Sequence, residues 1–162
     1  MYAGKKKSWK RIVLKDLIAF IESQHGGGET SLMDISEATG ISTRNISAMF
    51  NKDDMRLSRA EAIAGQYGCR LKLYFPLKEY PNISGHHAIR NKYPNAGNLQ
   101  GLIQYMDDSN ISINYLSMKT GLNRRLIDRA FHSGDIFLST LHKIMINLKA
   151  EALWIFEPMN TQ

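Results

Sequence analysis

The chain has 162 residues and a formal net charge of +6, from 21 lysine and arginine against 15 aspartate and glutamate side chains. Hydrophobic residues make up 43% and charged residues 22% of the sequence, which is enough apolar material for a core and excludes general disorder. No uncharged apolar stretch is long enough to cross a bilayer, and the single cysteine, Cys69, excludes an internal disulfide.

The excess positive charge lies at the N-terminus. Residues 1–15 contain six basic side chains and no acidic one, so the remaining chain is neutral. Such an arm suits nucleic acid or an anionic membrane surface, and a solubilising tail explains it equally well. We assign residues 1–9 to this arm and expect Lys5, Lys6 and Lys7 to contact phosphate. Because charges break the following apolar run and no cleavage site follows, we interpret the protein as cytoplasmic.

The first half of the chain contains four helical patterns and one strand pattern. Apolar residues at i, i+3, i+4 and i+7 predict the first helix, serines are suitable N-caps of the next two, and period-two alternation predicts the strand. We expect a first helix over about Lys10–Gln24, a second over Ser31–Gly40, a third that starts at Ser42 and a fourth over Ser58–Tyr67. A strand over Cys69–Phe75 follows them.

A linker separates this series from a second one. Residues 76–97 hold three of the four prolines, and we assign residues 77–97 to the linker. The pattern then recurs. We predict a first helix over about Asn98–Asp107, a second over Ser112–Gly121, a third that starts at Asn123 and a fourth over Ser139–Leu148, followed by a strand over Ala152–Phe156.

The recurrence is an internal repeat with a constant spacing of 81 residues, as between Gly40 and Gly121. Other identical pairs at this spacing include Ser31/Ser112, Thr39/Thr120, Arg44/Arg125, Phe50/Phe131, Asp54/Asp135, Leu57/Leu138, Ser58/Ser139, Ile63/Ile144 and Phe75/Phe156. We therefore predict a mainly α fold of two repeated four-helix units, each followed by one β-strand, over residues 10–76 and 98–158. Neither strand is stable alone, so we expect antiparallel pairing, within one chain or between chains.

The second and third helices of each unit, joined by a tight turn with glycine, have the helix-turn-helix plan. Residues 40–51, Gly-Ile-Ser-Thr-Arg-Asn-Ile-Ser-Ala-Met-Phe-Asn, resemble the turn and recognition helix of the lambda-repressor-like Cro/repressor (XRE-type) family. The likeness covers about residues 10–68 and 98–148, and the lysine-rich arm is similar to the arm by which lambda repressor wraps its operator. The resemblance implies that the third helix of each unit enters the DNA major groove.

This resemblance places candidate DNA contacts on the two third helices. The family's base-contacting positions correspond to Thr43, Arg44, Ala48, Arg124, Arg125 and Arg129. Its phosphate-contacting position corresponds to Asn51 and His132. We add Asn45, Ser47 and Asp128 from the same helices. Asp128 complicates this assignment, because a helix-spaced ion pair with Arg124 or Arg125 is also open to it.

The chain departs from the family at three places. Leu32 and Ile113 replace a glutamine that braces the recognition helix and touches phosphate, so that contact lacks its usual donor. Asp53, Asp54 and Asp135 lie where the family's loop approaches the DNA backbone, so the loop either points away from DNA or weakens binding. A strand replaces the fifth helix of the family.

We therefore expect sequence-specific binding of double-stranded DNA by a transcriptional regulator, which is a monomeric pseudo-dimer or a homodimer and contacts an asymmetric site. A protein-interaction module of the same fold, such as an antitoxin, is the alternative, because fold does not fix function. Binding of RNA or single strands is disfavoured, because the aromatic residues fall on predicted buried faces. The sequence contains no catalytic constellation and no zinc-finger spacing, so we expect neither an enzyme nor a metal or cofactor site.

Overall fold

The structure is a computed structural model that describes residues 11–27, 30–76 and 88–159. Within these ranges the protein is mainly helical, with nine α-helices and one antiparallel sheet of two strands. Apolar side chains from the helices and from the sheet form one continuous core. The prediction of a mainly α fold is therefore confirmed.

The N-terminal segment contains four helices whose ends follow ordinary capping chemistry. They are α1 (Lys15–Gln24), α2 (Leu32–Thr39), α3 (Thr43–Lys52) and α4 (Leu57–Gln66). The side-chain oxygens of Ser31 and Ser42 accept backbone N–H bonds from Asp34 and Asn45, as expected of N-caps. Gly40 ends α2 in the left-handed conformation, with φ of 74°.

The helix α1 is shorter than the sequence predicts, because residues 11–14 are not helical. The backbone N–H groups of Val13 and Leu14 donate instead to the two Asp53 carboxylate oxygens, at 2.9 and 3.0 Å. The loop after α3 thus caps the start of α1 with a charged acceptor.

The C-terminal segment repeats this order of helices after a short addition. Its helices are α5 (Ala88–Lys92), α6 (Gln100–Asp108), α7 (Ile113–Thr120), α8 (Arg124–Ser133) and α9 (Leu138–Asn147). A 3₁₀ turn at Gly97–Leu99 precedes α6. The bounds of α7, α8 and α9 follow those of α2, α3 and α4 at the 81-residue spacing.

The structure differs from the predicted linker at its C-terminal end, where α5 packs against α6. The Asp107 carboxylate accepts the backbone N–H groups of Ile89 and Arg90, and the Ile89 and Tyr93 side chains are buried. A segment rich in proline and asparagine therefore contains a structured element that local composition does not indicate. Residues 77–87 of the predicted linker lie outside the described residues.

The two strands, β1 (Cys69–Tyr74) and β2 (Leu153–Pro158), pair antiparallel within the chain. Cys69 lies opposite Pro158, and Tyr74 lies opposite Leu153. The expected antiparallel pairing is thereby confirmed, and of the two arrangements left open the structure has the intrachain one.

One face of this sheet packs on the helices. Leu71 and Leu73 are buried, whereas Trp154 and Phe156 are half-buried. The Phe156 ring stacks on that of Phe20 in α1, with centroids 4.0 Å apart. The assigned strands start 84 residues apart, but their inward faces keep the 81-residue spacing, because Leu73 and Phe75 correspond to Trp154 and Phe156.

A second junction between the segments joins the loops that precede α4 and α9. The backbone N–H of Leu57 donates to the carbonyl of Ile136 at 2.7 Å, and that of Leu138 donates to Met55 at 2.8 Å. Leu57 and Leu138 are 81 residues apart, so the two hydrogen bonds are reciprocal. Both junctions therefore connect corresponding parts of the two segments.

Candidate nucleic-acid interface

The helix α3 is amphipathic, and its polar face is open to solvent. Ile46 and Phe50 are buried against the core. The predicted contact residues on α3 are exposed or half-buried: Thr43, Arg44, Asn45, Ser47, Ala48 and Asn51. The Asn51 amide donates to the Ser47 hydroxyl at 3.3 Å, so these two neutral groups form a pair along the helix. All six residues therefore lie within reach of a ligand on one helix.

The helix α8 has the same design with more charge. Its apolar face, Ile127, Ala130 and Phe131, is buried. The predicted contact residues on α8 that are exposed are Arg124, Arg125, Arg129 and His132. Asn123 caps the helix by accepting the backbone N–H of Arg125 at 2.8 Å. The outward face of α8 is therefore strongly basic.

Asp128 is the one acid among the predicted contact residues, and its partners include residues outside α8. The Tyr93 hydroxyl donates to Asp128 Oδ1. The same oxygen lies 3.8 Å from Lys92 Nζ and 3.7 Å from His132 Nε2. Among the described residues no ion pair within 4 Å joins Asp128 to Arg124 or Arg125, and the charge of Arg124 acts on Asp128 from a longer distance.

The electrostatics of this group keep the carboxylate charged. The hydrogen bond from Tyr93 is the largest influence and lowers the pKa of the Asp128 carboxyl. Burial opposes it as the second-largest influence, and the charges of His132, Lys92 and Arg124 each lower the pKa by less. Burial, followed by the hydrogen bond to Asp128, raises the pKa of Tyr93 to about 12. At neutral pH the pair is therefore a neutral phenol that donates to an ionised carboxylate.

Sequence patterns did not reveal Lys92 and Tyr93, which belong to the predicted linker. The two residues lie just before Pro94, in a stretch without helical periodicity. The sequence signal that could have pointed to these residues is an aromatic residue that follows two basic residues, Arg90 and Lys92, and this signal is weak.

The acidic loop residues point into the protein. Asp53 caps α1 as described above. The Asp54 carboxylate accepts from the backbone N–H of Ser139 at 2.9 Å and from its hydroxyl at 2.7 Å. The Asp135 carboxylate accepts from the same two groups of Ser58, at 2.9 and 2.8 Å. These hydrogen bonds hold the three carboxylates at partners within the protein, as the first of the two sequence-based alternatives requires, although Asp54 also lines the groove beside α3.

A groove of about 610 Å³ continues the polar face of α3 towards the C-terminal segment. Its basic lining residues are Lys52, Arg56 and Arg59, and none of the three is among the DNA contacts predicted from the sequence. The guanidinium of Arg56 lies 4.4 Å from the centre of the Phe137 ring, and the two residues pair as an antiparallel bridge between the loops. The groove therefore adds three cations and one carboxylate, Asp54, to the surface around α3, and the Arg56 guanidinium also lies 3.8 Å from the Asp135 carboxylate.

The arm residues Lys5, Lys6 and Lys7 lie outside the described residues. Within the described ranges, none of the helices combines the length and the apolar character needed to span a membrane. In comparisons with protein-family models, curated proteins and solved structures, the chain has no match.

Proposed function

We propose that the protein binds double-stranded DNA in a sequence-specific way and acts as a transcriptional regulator. In this proposal residues 10–76 and 98–158 form two lambda-repressor-like units, and α3 and α8 are their recognition helices. One observation carries the proposal. Each of these helices follows a helix that ends in a left-handed glycine, begins at an N-cap, and exposes a polar face that bears arginine.

The junctions between the segments support a pseudo-dimer within one chain. Antiparallel, reciprocal contacts of this kind relate two similar bodies by an approximate two-fold axis. Dimeric helix-turn-helix proteins use the same symmetry to present two helices to successive turns of the major groove. One molecule would therefore contact two half-sites without a second chain.

The unequal faces of the two helices support an asymmetric binding site. On α3, Arg44 stands beside the small residues Thr43 and Ala48, which suit contact with a thymine methyl group. On α8 the exposed face holds three arginines, and arginine pairs best with guanine through O6 and N7. We expect the half-site bound by α8 to be richer in guanine.

Selection of bound sequences from a random DNA pool, at two salt concentrations, tests this proposal. The wild-type protein should select an asymmetric site. Arg125→Ala should cost about 1 to 3 kcal/mol of binding free energy on that site and relax specificity in the guanine-rich half alone. Arg44→Ala is the matched variant, and it should relax the other half.

Two results would contradict the proposal in different ways. If the selected sites were palindromic, or if both variants lost affinity equally for every DNA, the arginines would be phosphate anchors and the two helices would not contact different sequences. If the wild-type protein bound no DNA at low salt and retained a protein partner on purification, the interaction-module alternative would replace DNA binding. The exposed apolar side chains of Tyr115, Met118 and Leu126 in the C-terminal segment favour that alternative.

A further inference from the structure

The acidic residue on α8 has no counterpart on α3. At the 81-residue spacing Asp128 corresponds to Ser47, and His132 corresponds to Asn51. The Ser47 hydroxyl already accepts a hydrogen bond from Asn51, and this pair is neutral. A carboxylate in the middle of a basic helix face is costly if that face only meets phosphate, so its presence calls for a specific partner.

The Asp128 carboxylate is fixed in position and is open on one side. Tyr93, a residue that is only 1% exposed, donates to Oδ1. Among the described residues, Lys92 and His132 also contact Asp128 through Oδ1. These contacts leave Oδ2 available, and the Asp128 side chain is 40% exposed. A buried tyrosine thus fixes the position of the Asp128 carboxylate, a hydrogen-bond acceptor, at the edge of the polar face of α8.

The base edges of the major groove differ in what they offer to such an acceptor. Cytosine offers only its N4 amino donor, whereas guanine offers two acceptors and thymine one acceptor and a methyl group. Adenine has an amino donor, but the acceptor N7 beside it repels a carboxylate. A fixed carboxylate therefore favours cytosine over the other three bases.

We infer that Asp128 is a specificity-determining residue that accepts a hydrogen bond from the N4 amino group of one cytosine in the half-site bound by α8, with Tyr93 as its positioning residue. This inference rests on the proposed function and deepens it. Asp128 lies outside the positions that the family resemblance assigns to base contact. The lowered pKa of its carboxyl keeps the acceptor ionised at neutral pH.

The decisive variant is Asp128→Asn, examined by the same selection from a random DNA pool. An asparagine oxygen still accepts the Tyr93 hydrogen bond, so the fold is retained, and the Nδ2 amino group then takes the place of Oδ2 and turns the free acceptor into a donor. The preferred base at one position should change from cytosine to guanine, which offers two acceptors there, and the wild-type preference for cytosine should be about 5- to 150-fold. Tyr93→Phe should weaken the cytosine preference at that position without replacing it.

Ser47→Ala is the matched control, because it alters the equivalent position of the other helix and should leave the cytosine untouched. Suppose that the wild-type protein selects an asymmetric site and that Asp128→Asn selects the same bases at every position. Asp128 then only connects α5 to α8, and the inference is overturned, whereas the proposal of DNA binding is unaffected. If the wild-type protein selects no sequence at all, the proposed function fails and the inference fails with it.

Discussion

The helix pairs α3–α4 and α8–α9 have equal lengths and spacings, yet the protein anchors them differently. After α3 the left-handed residue is Asp53, whose carboxylate caps α1. After α8 it is Gly134, and a Cβ there would lie 2.9 Å from the carbonyl oxygen of Ala96. A side chain makes the connection in one segment, and close approach of two backbones makes it in the other. The repeated positions determine the helices, whereas the positions that differ determine how each pair is attached.

The largest effect is expected at the close backbone approach. Gly134→Ala adds a strained left-handed alanine (φ 71°) and a clash with Ala96, and together these should cost about 3 kcal/mol of unfolding free energy. Gly121→Ala is the control, because φ is 74° there but no atom lies within 4 Å of the added Cβ, so the cost should be only about 1 kcal/mol. Urea unfolding of both variants measures the difference. Equal losses would contradict a packing role for the Gly134–Ala96 approach.

The next effect is a pH dependence centred on Tyr93 in the C-terminal segment. Because the pKa of Tyr93 is about 12 when folded and 10.0 ordinarily, the folded state holds the phenolic proton more tightly. The resulting stability is fully present below about pH 10 and is lost as the pH rises towards 12. The wild-type protein should lose on the order of 2 to 3 kcal/mol over this window beyond the loss of Tyr93→Phe.

Denaturant unfolding of both proteins at several alkaline pH values measures that difference. Parallel losses in the two proteins would mean that other groups titrate in this window and that Tyr93 is not held as the structure indicates. Tyr74, an exposed tyrosine on β1, provides the control variant Tyr74→Phe, which should follow the wild-type curve.

The smallest differences are expected at the reciprocal junction of the loops. Asp54→Ala removes two hydrogen bonds to half-buried Ser139 and should cost about 2 kcal/mol of unfolding free energy. Asp135→Ala removes the equivalent bonds to exposed Ser58, the bond from the backbone N–H of Ile136 and the ion pair with exposed Arg56. It should still cost only about 1 kcal/mol, because water replaces exposed contacts more easily. Thermal or urea unfolding, with Glu37→Ala on α2 as the control for charge alone, ranks the three. An Asp54 variant as stable as the Glu37 variant would show that the junction contributes nothing.

Local sequence was sufficient for the repeated helices. The N-caps Ser31, Ser42, Ser112 and Asn123 and the 81-residue spacing are all found in the structure, because capping and apolar periodicity depend on residues within a few positions of each other. The same signals kept the predicted contact residues of α3 and α8 on accessible faces. The strands were predicted too, since period-two alternation is equally local.

Contacts between distant residues decided the rest. The partner of Asp128 is 35 positions away in a segment without periodicity, and Asp54 and Ser139 are 85 positions apart, so no local pattern could pair them. The pairing of β1 with β2 and the packing of Phe156 on Phe20 likewise join residues that are far apart in the chain. Sequence alone determined the helices that recur at the 81-residue spacing and the faces they expose, but not α5. Only the tertiary structure decided which acids are turned inward and which one stays on the polar face of α8, because that depends on the donors that folding brings within hydrogen-bonding distance.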